Sequence, residues 1–291
     1  LPARVLKECC RELAYPVARL FTISFRSGTV PSIWKLAKVV PIYKKPPASL
    51  PSNYRPVSLL PILSKVMEAI INKQLITFLE RHDVLPNSQF GFRRGRGTAD
   101  VLTALQNEWV EAVAYGGCVP VVAVDIAGAF DRVSHMGLLR KAEAAGIGGH
   151  LLKWLTHYLH DRKLSVVVGG HSSPSYPIKA GVPQGSVLGP TLFLIYVADI
   201  DQCLLPGTQL TSFADDTTLY RVVPSPETPH QLASSLQQSL DRLAEWGRTW
   251  RIKFEPAKSQ LLVLTRSHDH PAFPDITFDG TPIAERRTLK L

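Results

Sequence analysis

The sequence predicts a mixed sheet covered by helices, an α+β or α/β layout, and three observations carry that prediction. Helical segments and short strand-like runs alternate through the middle of the chain. One of those runs, "VPVVAVDI" (119–126), is rich enough in valine to be a buried strand. Two further stretches, "LSVVVGGHSSPSYPIKA" and "LTSFADDTTLY" (210–220), read as strand–turn–strand. With 291 residues, 45% of them hydrophobic, the chain can form one large domain or two smaller ones, and the composition argues against disorder.

The elements follow in order. "VLKECCRELAYPVARLFTISFRSG" has helical spacing and stops at Gly28. The proline-dense stretch "VVPIYKKPPASLPSNYRPVSLLP" (39–61) reads as a loop-rich, extended region carrying Lys44, Lys45 and Arg55. "LSKVMEAIINKQLITFLERHDV" is an amphipathic helix. After the valine strand comes a helix from about Met136, a glycine break "GIGG" (146–149), and the helix "HLLKWLTHYLHD". A hairpin, a long helix from Ser186 and the 210–220 hairpin lead to the helix "PHQLASSLQQSLDRLAEWGRTW" and the strand "QLLVLT" (260–265). The apolar run 187–200 is too short, and too interrupted by Gly and Pro, to span a membrane. "HDH" (268–270) is spaced wrongly for two histidines on one helical face, so it reads as a loop and not a metal site.

The 33 Lys and Arg against 24 Asp and Glu give a net charge of +9, which suits a polyanion such as nucleic acid. A basic soluble protein without such a partner fits equally well, and both readings stay open. The same holds for "RRGRG" (93–97), either a solvated loop or a contact to a nucleic-acid backbone. The four cysteines fit neither a zinc site nor a disulfide framework, which points to a reducing, intracellular setting.

Two adjacent carboxylates, Asp215 and Asp216, sit in a tight turn, and Asp125 ends the valine strand where apolar residues give way to charge. If that strand neighbours the hairpin, Asp125 and Asp215 converge. Clustered carboxylates without a cation raise each other's pKa and tend to neutralise. With divalent ions they become hard oxygen ligands suited to Mg²⁺, which leaves coordination positions for water and substrate phosphate. Two such ions roughly 4 Å apart activate an attacking hydroxyl and stabilise the leaving oxygen of a phosphoryl displacement. Taken alone, two turn aspartates are ordinary surface chemistry.

They are not alone. "NYRPVSLLPILSKVMEAIINKQL" (53–75), "NSQFGFRRGRGTADVL" (87–102), "VDIAGAFDRVSH" (124–135), "AGVPQGSVLGPTLFLIYVADI" (180–200), "FADD" (213–216) and "FEPAKSQLLVL" (254–264) run in order along the chain. Together they resemble the successive blocks of the reverse transcriptase domain of non-long-terminal-repeat (LINE-type) retrotransposons. The resemblance implies an RNA-directed DNA polymerase, a nucleotidyltransferase with the right-hand polymerase fold and a ferredoxin-like palm sheet. It places N-terminal helices and fingers at 1–117 and the palm at 118–265, with finger elements between about 150 and 180. A truncated primer-grip region falls at 266–291, with the thumb missing.

The resemblance also implies roles. Asp125, Asp215 and Asp216 would hold two Mg²⁺ ions, Mn²⁺ being a substitute, with Asp216 the less direct of the three. Lys258 would protonate departing pyrophosphate. Phe130 would exclude a ribose 2′-hydroxyl, Arg55 would grip the triphosphate, and Gln184, Gly185 and Ser186 would line the nucleotide and template pocket. Gly181 and Gly185 also suit a close backbone approach to nucleic acid. Asp131 and Asp199 read as structural charges. The partners implied are an RNA template, a DNA primer and deoxynucleoside triphosphates, without a membrane, inside the cell in nucleus and cytoplasm; the oligomeric state is left open. The other readings are a catalytically incomplete nucleic-acid-binding remnant and an RNA-dependent RNA polymerase. The latter more often has a polar residue in place of Phe130 and Gly in place of Ala214.

Overall fold

A computed structural model describes residues 2–222, 227–266 and 273–289. The "HDH" stretch lies outside the described residues. In chain order, α1 (Ala3–Glu8) is followed by α2 (Cys10–Ser27), which ends at Gly28, whose left-handed φ of 67° closes the helix as a glycine can. β1 (Leu36–Tyr43) and β2 (Tyr54–Leu59) precede α3 (Ile62–Arg81) and α4 (Thr98–Ala114). β3 (Val119–Val124) follows, then α5 (His135–Ala144) and α6 (Gly149–Leu159) on either side of the glycine break. β4 (Lys163–Val168) turns through Gly169 and Gly170 into β5 (His171–Ser172), with β6 (Tyr176–Pro177) returning along it. α7 (Gly189–Val197), β7 (Thr208–Phe213), β8 (Asp216–Arg221), α8 (Pro229–Trp250) and β9 (Gln260–Leu264) complete the main elements. Three two-residue strands, β10 (Thr277–Phe278), β11 (Thr281–Pro282) and β12 (Ala284–Glu285), come last.

Two expectations need correction. The proline-dense stretch 39–61 is mostly a hairpin, with β1 and β2 antiparallel and Pro41 opposite Pro56. Strand β2 is the sheet edge, and β1 is paired on its other side only as far as Val39, so neither missing N–H interrupts a ladder. The helix expected to be long and to run from Ser186 is short, Gly189–Val197, and Ser186 Oγ accepts the Gly189 N–H at 2.8 Å ahead of it.

The chain forms two units interleaved in sequence: unit 1 is Leu1–Val84 with Phe130–Tyr196, and unit 2 is Leu85–Ala129 with Val197–Leu291. Unit 1 holds a sheet ordered β2-β1-β4-β5, with β6 also on β4 and a parallel β1–β4 pair. Unit 2 holds a sheet ordered β12-β9-β3-β8-β7. Its β9, β3, β8 and β7 are antiparallel neighbours, with the first strand in sequence lying between the fourth and third. That is the ferredoxin-like order. Strand β3 is central, and Val119, Val121 and Val122 are fully buried, as its unbroken apolar sequence requires. On unit 2, Val101, Leu105 and Trp109 of α4 pack against Val119, Val121 and Tyr220. Helix α8 buries Leu232, Leu236, Leu240 and Leu243, after an N-terminal capping box between Thr228 and Gln231. Among the described residues, no helix is long and apolar enough to cross a membrane.

Candidate active site

Strand pairing brings the acidic residues of unit 2 together. The last paired residues of β3 and β8 are Val124 and Thr217, so one step further Asp125 comes level with Asp216. Antiparallel partners have Cα atoms about 5 Å apart, and the hairpin turn carrying Asp215 starts at this same end. Asp125 and the adjacent pair Asp215–Asp216, remote in sequence, therefore share one end of one sheet. Asp215 and Asp125 are half-buried and Asp216 is exposed.

The turn that carries them is tight. Phe213 pairs with Asp216, leaving only Ala214 and Asp215 to connect β7 to β8. Two-residue connections of twisted strands need a positive φ, and here Ala214 supplies it at 62°, a conformation a side chain resists.

On the other side of β3, Ile126 bridges Phe254, and Glu255 N–H donates to the Asp125 carbonyl at 2.9 Å. A single helical turn, Pro256–Lys258, interrupts the strand before β9 begins. It carries Lys258 over Asp125, where Nζ donates to Oδ2 at 2.6 Å. That hydrogen bond raises the lysine pKa above its ordinary value and keeps the ammonium protonated. The side chains are 59% and 37% exposed, so the pair is open to solvent and to exchange for another cation.

Among the described residues, no three His, Cys, Asp or Glu side chains form a ready-made metal cage. The donor set is nevertheless all carboxylate oxygen, and an ammonium already occupies a cation's position on Asp125. Such a set fits a hard divalent ion that completes its coordination with water and substrate phosphate.

Unit 1 carries the remaining candidates. Exposed Arg55 lies on β2, and three residues along the same strand Ser58 N–H donates to the Gln184 carbonyl at 2.7 Å. The loop Gln184–Gly185–Ser186 thus docks on the strand that presents Arg55. Gly185 has φ 103°, and a Cβ there would stand 2.7 Å from the Ser58 oxygen; at Gly181, with φ 89°, it would stand 2.7 Å from the Asp131 oxygen. Both glycines therefore lie against the protein's own backbone, where a side chain has no room. The Gln184 amide donates to both oxygens of Asp131 at 2.9 Å. Burial raises the Asp131 pKa and this hydrogen bond opposes the rise. Phe130 is half-buried, its carbonyl accepts the Val182 N–H, and its ring stacks on Phe193 at 5.0 Å. Asp199, in unit 2, accepts from Trp246 Nε1 at 3.1 Å, a structural contact.

Two positioning groups escape a reading by sequence. Glu68, fully buried on α3, accepts from Val187 N–H at 2.8 Å, Leu188 N–H at 3.3 Å and Ser64 Oγ at 2.9 Å. It braces the loop after Ser186, and its only early signal is a charge on the apolar face of a helix. The basic run 93–97 is the second. Arg93 is buried and donates to the carbonyls of Pro86 and Gln89, while Arg96 bonds Asn87 and lies over the Phe90 ring. These two arginines hold their own loop. An open apolar groove of ≈ 670 Å³ lined by Leu102, Trp109, Val110 and Leu264 includes none of the acidic candidates.

Comparison with known proteins follows the geometry. Residues 42–282 match the family model described as reverse transcriptase (RNA-dependent DNA polymerase). The chain is 33% identical over 283 residues to the RNA-directed DNA polymerase from mobile element jockey of Drosophila melanogaster, covering 94% of this chain and 30% of that protein. It is 32% identical over 290 residues to a protein of transposon X-element from the same organism, covering 98% of this chain and 31% of that one. The chain thus spans under a third of the length of these curated relatives. Among solved structures, apo telomerase from Candida tropicalis aligns with a TM-score of 0.58 at 13% identity, covering 91% of this chain and 57% of that one. Telomerase from Candida albicans aligns at 0.55 and 12%, covering 91% and 47%. At those identities the likeness concerns the fold, which is the right-hand polymerase fold.

Proposed function

The chain belongs to the reverse transcriptase (RNA-dependent DNA polymerase) family, and from that premise we propose that it catalyses template-directed deoxynucleotidyl transfer on an RNA template. Family membership implies a divalent metal and a nucleic-acid partner in general terms. The finer reading is two Mg²⁺ ions, an RNA template, a DNA primer and deoxynucleoside triphosphates. The sheet of unit 2 is read as the palm.

The register of β3 against β8 carries the proposal, because it puts Asp125 beside the Asp215–Asp216 turn. Bound divalent ions there supply a Lewis acid for the attacking and leaving oxygens. Asp125 and Asp215 are their principal ligands, and Asp216 completes the negative field. Lys258 Nζ, which donates to Asp125, is the proton source for pyrophosphate. Phe130, held by stacking on Phe193, is a rigid face suited to excluding a 2′-hydroxyl. Arg55 on β2 is read as the triphosphate grip, with the docked Gln184–Gly185–Ser186 loop lining the nucleotide pocket. An apolar Phe130 and an alanine at position 214 weigh against an RNA-synthesising polymerase.

Primer extension on an RNA template tests the proposal. Deoxynucleotide incorporation that depends on a divalent ion is expected. Incorporation of ribonucleotides alone, or template binding without any extension, would overturn it.

A further inference from the structure

Gln89 lies in the segment before α4, and among the described residues of unit 2 it is the only buried side-chain carboxamide, at 4% exposure. The segment around it runs beside β7: Phe90 N–H donates to the Ser212 carbonyl and Ser212 N–H to the Ser88 carbonyl, both at 2.8 Å. This main-chain pairing brings the Gln89 carboxamide to the acidic turn. Its Oε1 accepts the Ala214 N–H at 3.0 Å, and its Nε2 donates to the Ala214 carbonyl at 3.2 Å. The second lone pair of Oε1 takes the Gly91 N–H at 2.8 Å. Gly91 has no side chain because a Cβ there would run into the Ala214 backbone. Arg93 donates to the Gln89 carbonyl at 3.1 Å and secures the segment from behind.

The amide therefore holds both main-chain polar groups of the residue that precedes Asp215. That residue has the positive φ, and a non-glycine residue stays in such a conformation only where its surroundings over-determine it. Because every contact is to the main chain, the clamp fixes the turn without engaging a carboxylate.

We infer that Gln89 is the positioning residue of the catalytic turn: its carboxamide grips the backbone of Ala214 and thereby sets where Asp215 presents its oxygens to the metal. The inference rests on the reading of Asp125 and Asp215 as metal ligands, and its test separates the two. Second-tier groups around metal ligands are worth about 10–100-fold in metal affinity or activity when removed. Gln89→Met keeps the length and removes every hydrogen bond. Gln89→Asn keeps the amide but withdraws it by one methylene.

The experiment measures Mn²⁺ affinity by electron paramagnetic resonance, thermal unfolding, and amide hydrogen exchange at Ala214, on the 291-residue chain and its variants. In the unaltered chain, Ala214 should exchange slowly. In both Gln89 variants it should exchange fast, with Mn²⁺ affinity about 10–100-fold weaker and a cooperative unfolding transition retained. Asp215→Ala, which should remove Mn²⁺ binding altogether, is the control on the underlying reading. If Asp215→Ala loses Mn²⁺ while both Gln89 variants bind it normally, the positioning role is wrong and the metal reading stands. If Asp215→Ala binds Mn²⁺ as before, the metal reading itself fails. Fast exchange at Ala214 in the unaltered chain, or loss of the fold in both Gln89 variants, would also overturn the positioning role.

Discussion

The two ends of the β7–β8 hairpin are held in opposite ways. At the base, Arg221 and Glu227 meet in a two-pronged ion pair at 2.9 and 3.1 Å, and Arg221 also donates to the Pro206 carbonyl. Nearby, Ser239 Oγ donates to Thr208 Oγ1 at 2.9 Å. The base thus neutralises its charge internally. At the tip, the neutral amide of Gln89 grips only main chain. The base is tied down through its charges, whereas the tip is tied down through its backbone.

The largest expected effect breaks the tip alone. Asp215→Ala should lower primer extension by about a thousandfold, the order expected when several kcal/mol of transition-state stabilisation is lost. Its unfolding transition should stay close to that of the unaltered chain. Full extension in this variant would make the tip as inert as the base. A change that touches neither end sharpens the contrast. Phe130→Val should weaken discrimination against ribonucleotides by about 10–100-fold and leave the divalent-ion requirement alone, read by competing ribo- and deoxynucleotides.

At the base the expected loss is of stability. Glu227→Gln should cost about 1–2 kcal/mol in denaturant unfolding, with extension by the folded enzyme retained. The hydrogen bond from Arg221 depresses the Glu227 pKa below its ordinary value. Its contribution is therefore complete above the unfolded glutamate pKa of about 4.3 and disappears as the pH falls through the lower folded value. The difference between the two proteins should vanish in that acidic window, and a difference that persisted there would contradict the ion pair. The smallest effect is Ala214→Gly. Relief of the positive φ and the greater freedom of glycine in the unfolded chain oppose each other, so stability should change by about 1 kcal/mol or less. A larger loss would show that the alanine methyl packs for stability.

Much of this was legible in the sequence where the residue type states its own environment. An unbroken apolar run, four of its six residues valine, reads as a buried strand, and β3 is one. Carboxylates at a strand end and in a tight turn announce charge where the apolar run stops, and the register brings them together. Gln89 was not legible, because a neutral amide says nothing until its partner is known, and that partner lies 125 residues away. The roles of Arg93 and Arg96 were hidden for a related reason: a guanidinium that bonds carbonyls of its own loop looks, in sequence, like one awaiting phosphate. Prolines hid the β1–β2 hairpin, since proline argues against a strand except at positions needing no donor, and only the pairing reveals those positions.

The most direct test of the acidic turn as a metal site is Fe²⁺-directed cleavage, in which Fe²⁺ replaces Mg²⁺ and peroxide generates hydroxyl radicals at the ion. The backbone should be cut next to Asp125 and next to Asp215–Asp216, and added Mg²⁺ should suppress both cuts together. Cutting elsewhere, or cuts at these positions indifferent to Mg²⁺, would contradict a shared metal centre at the end of the β3–β8 pair.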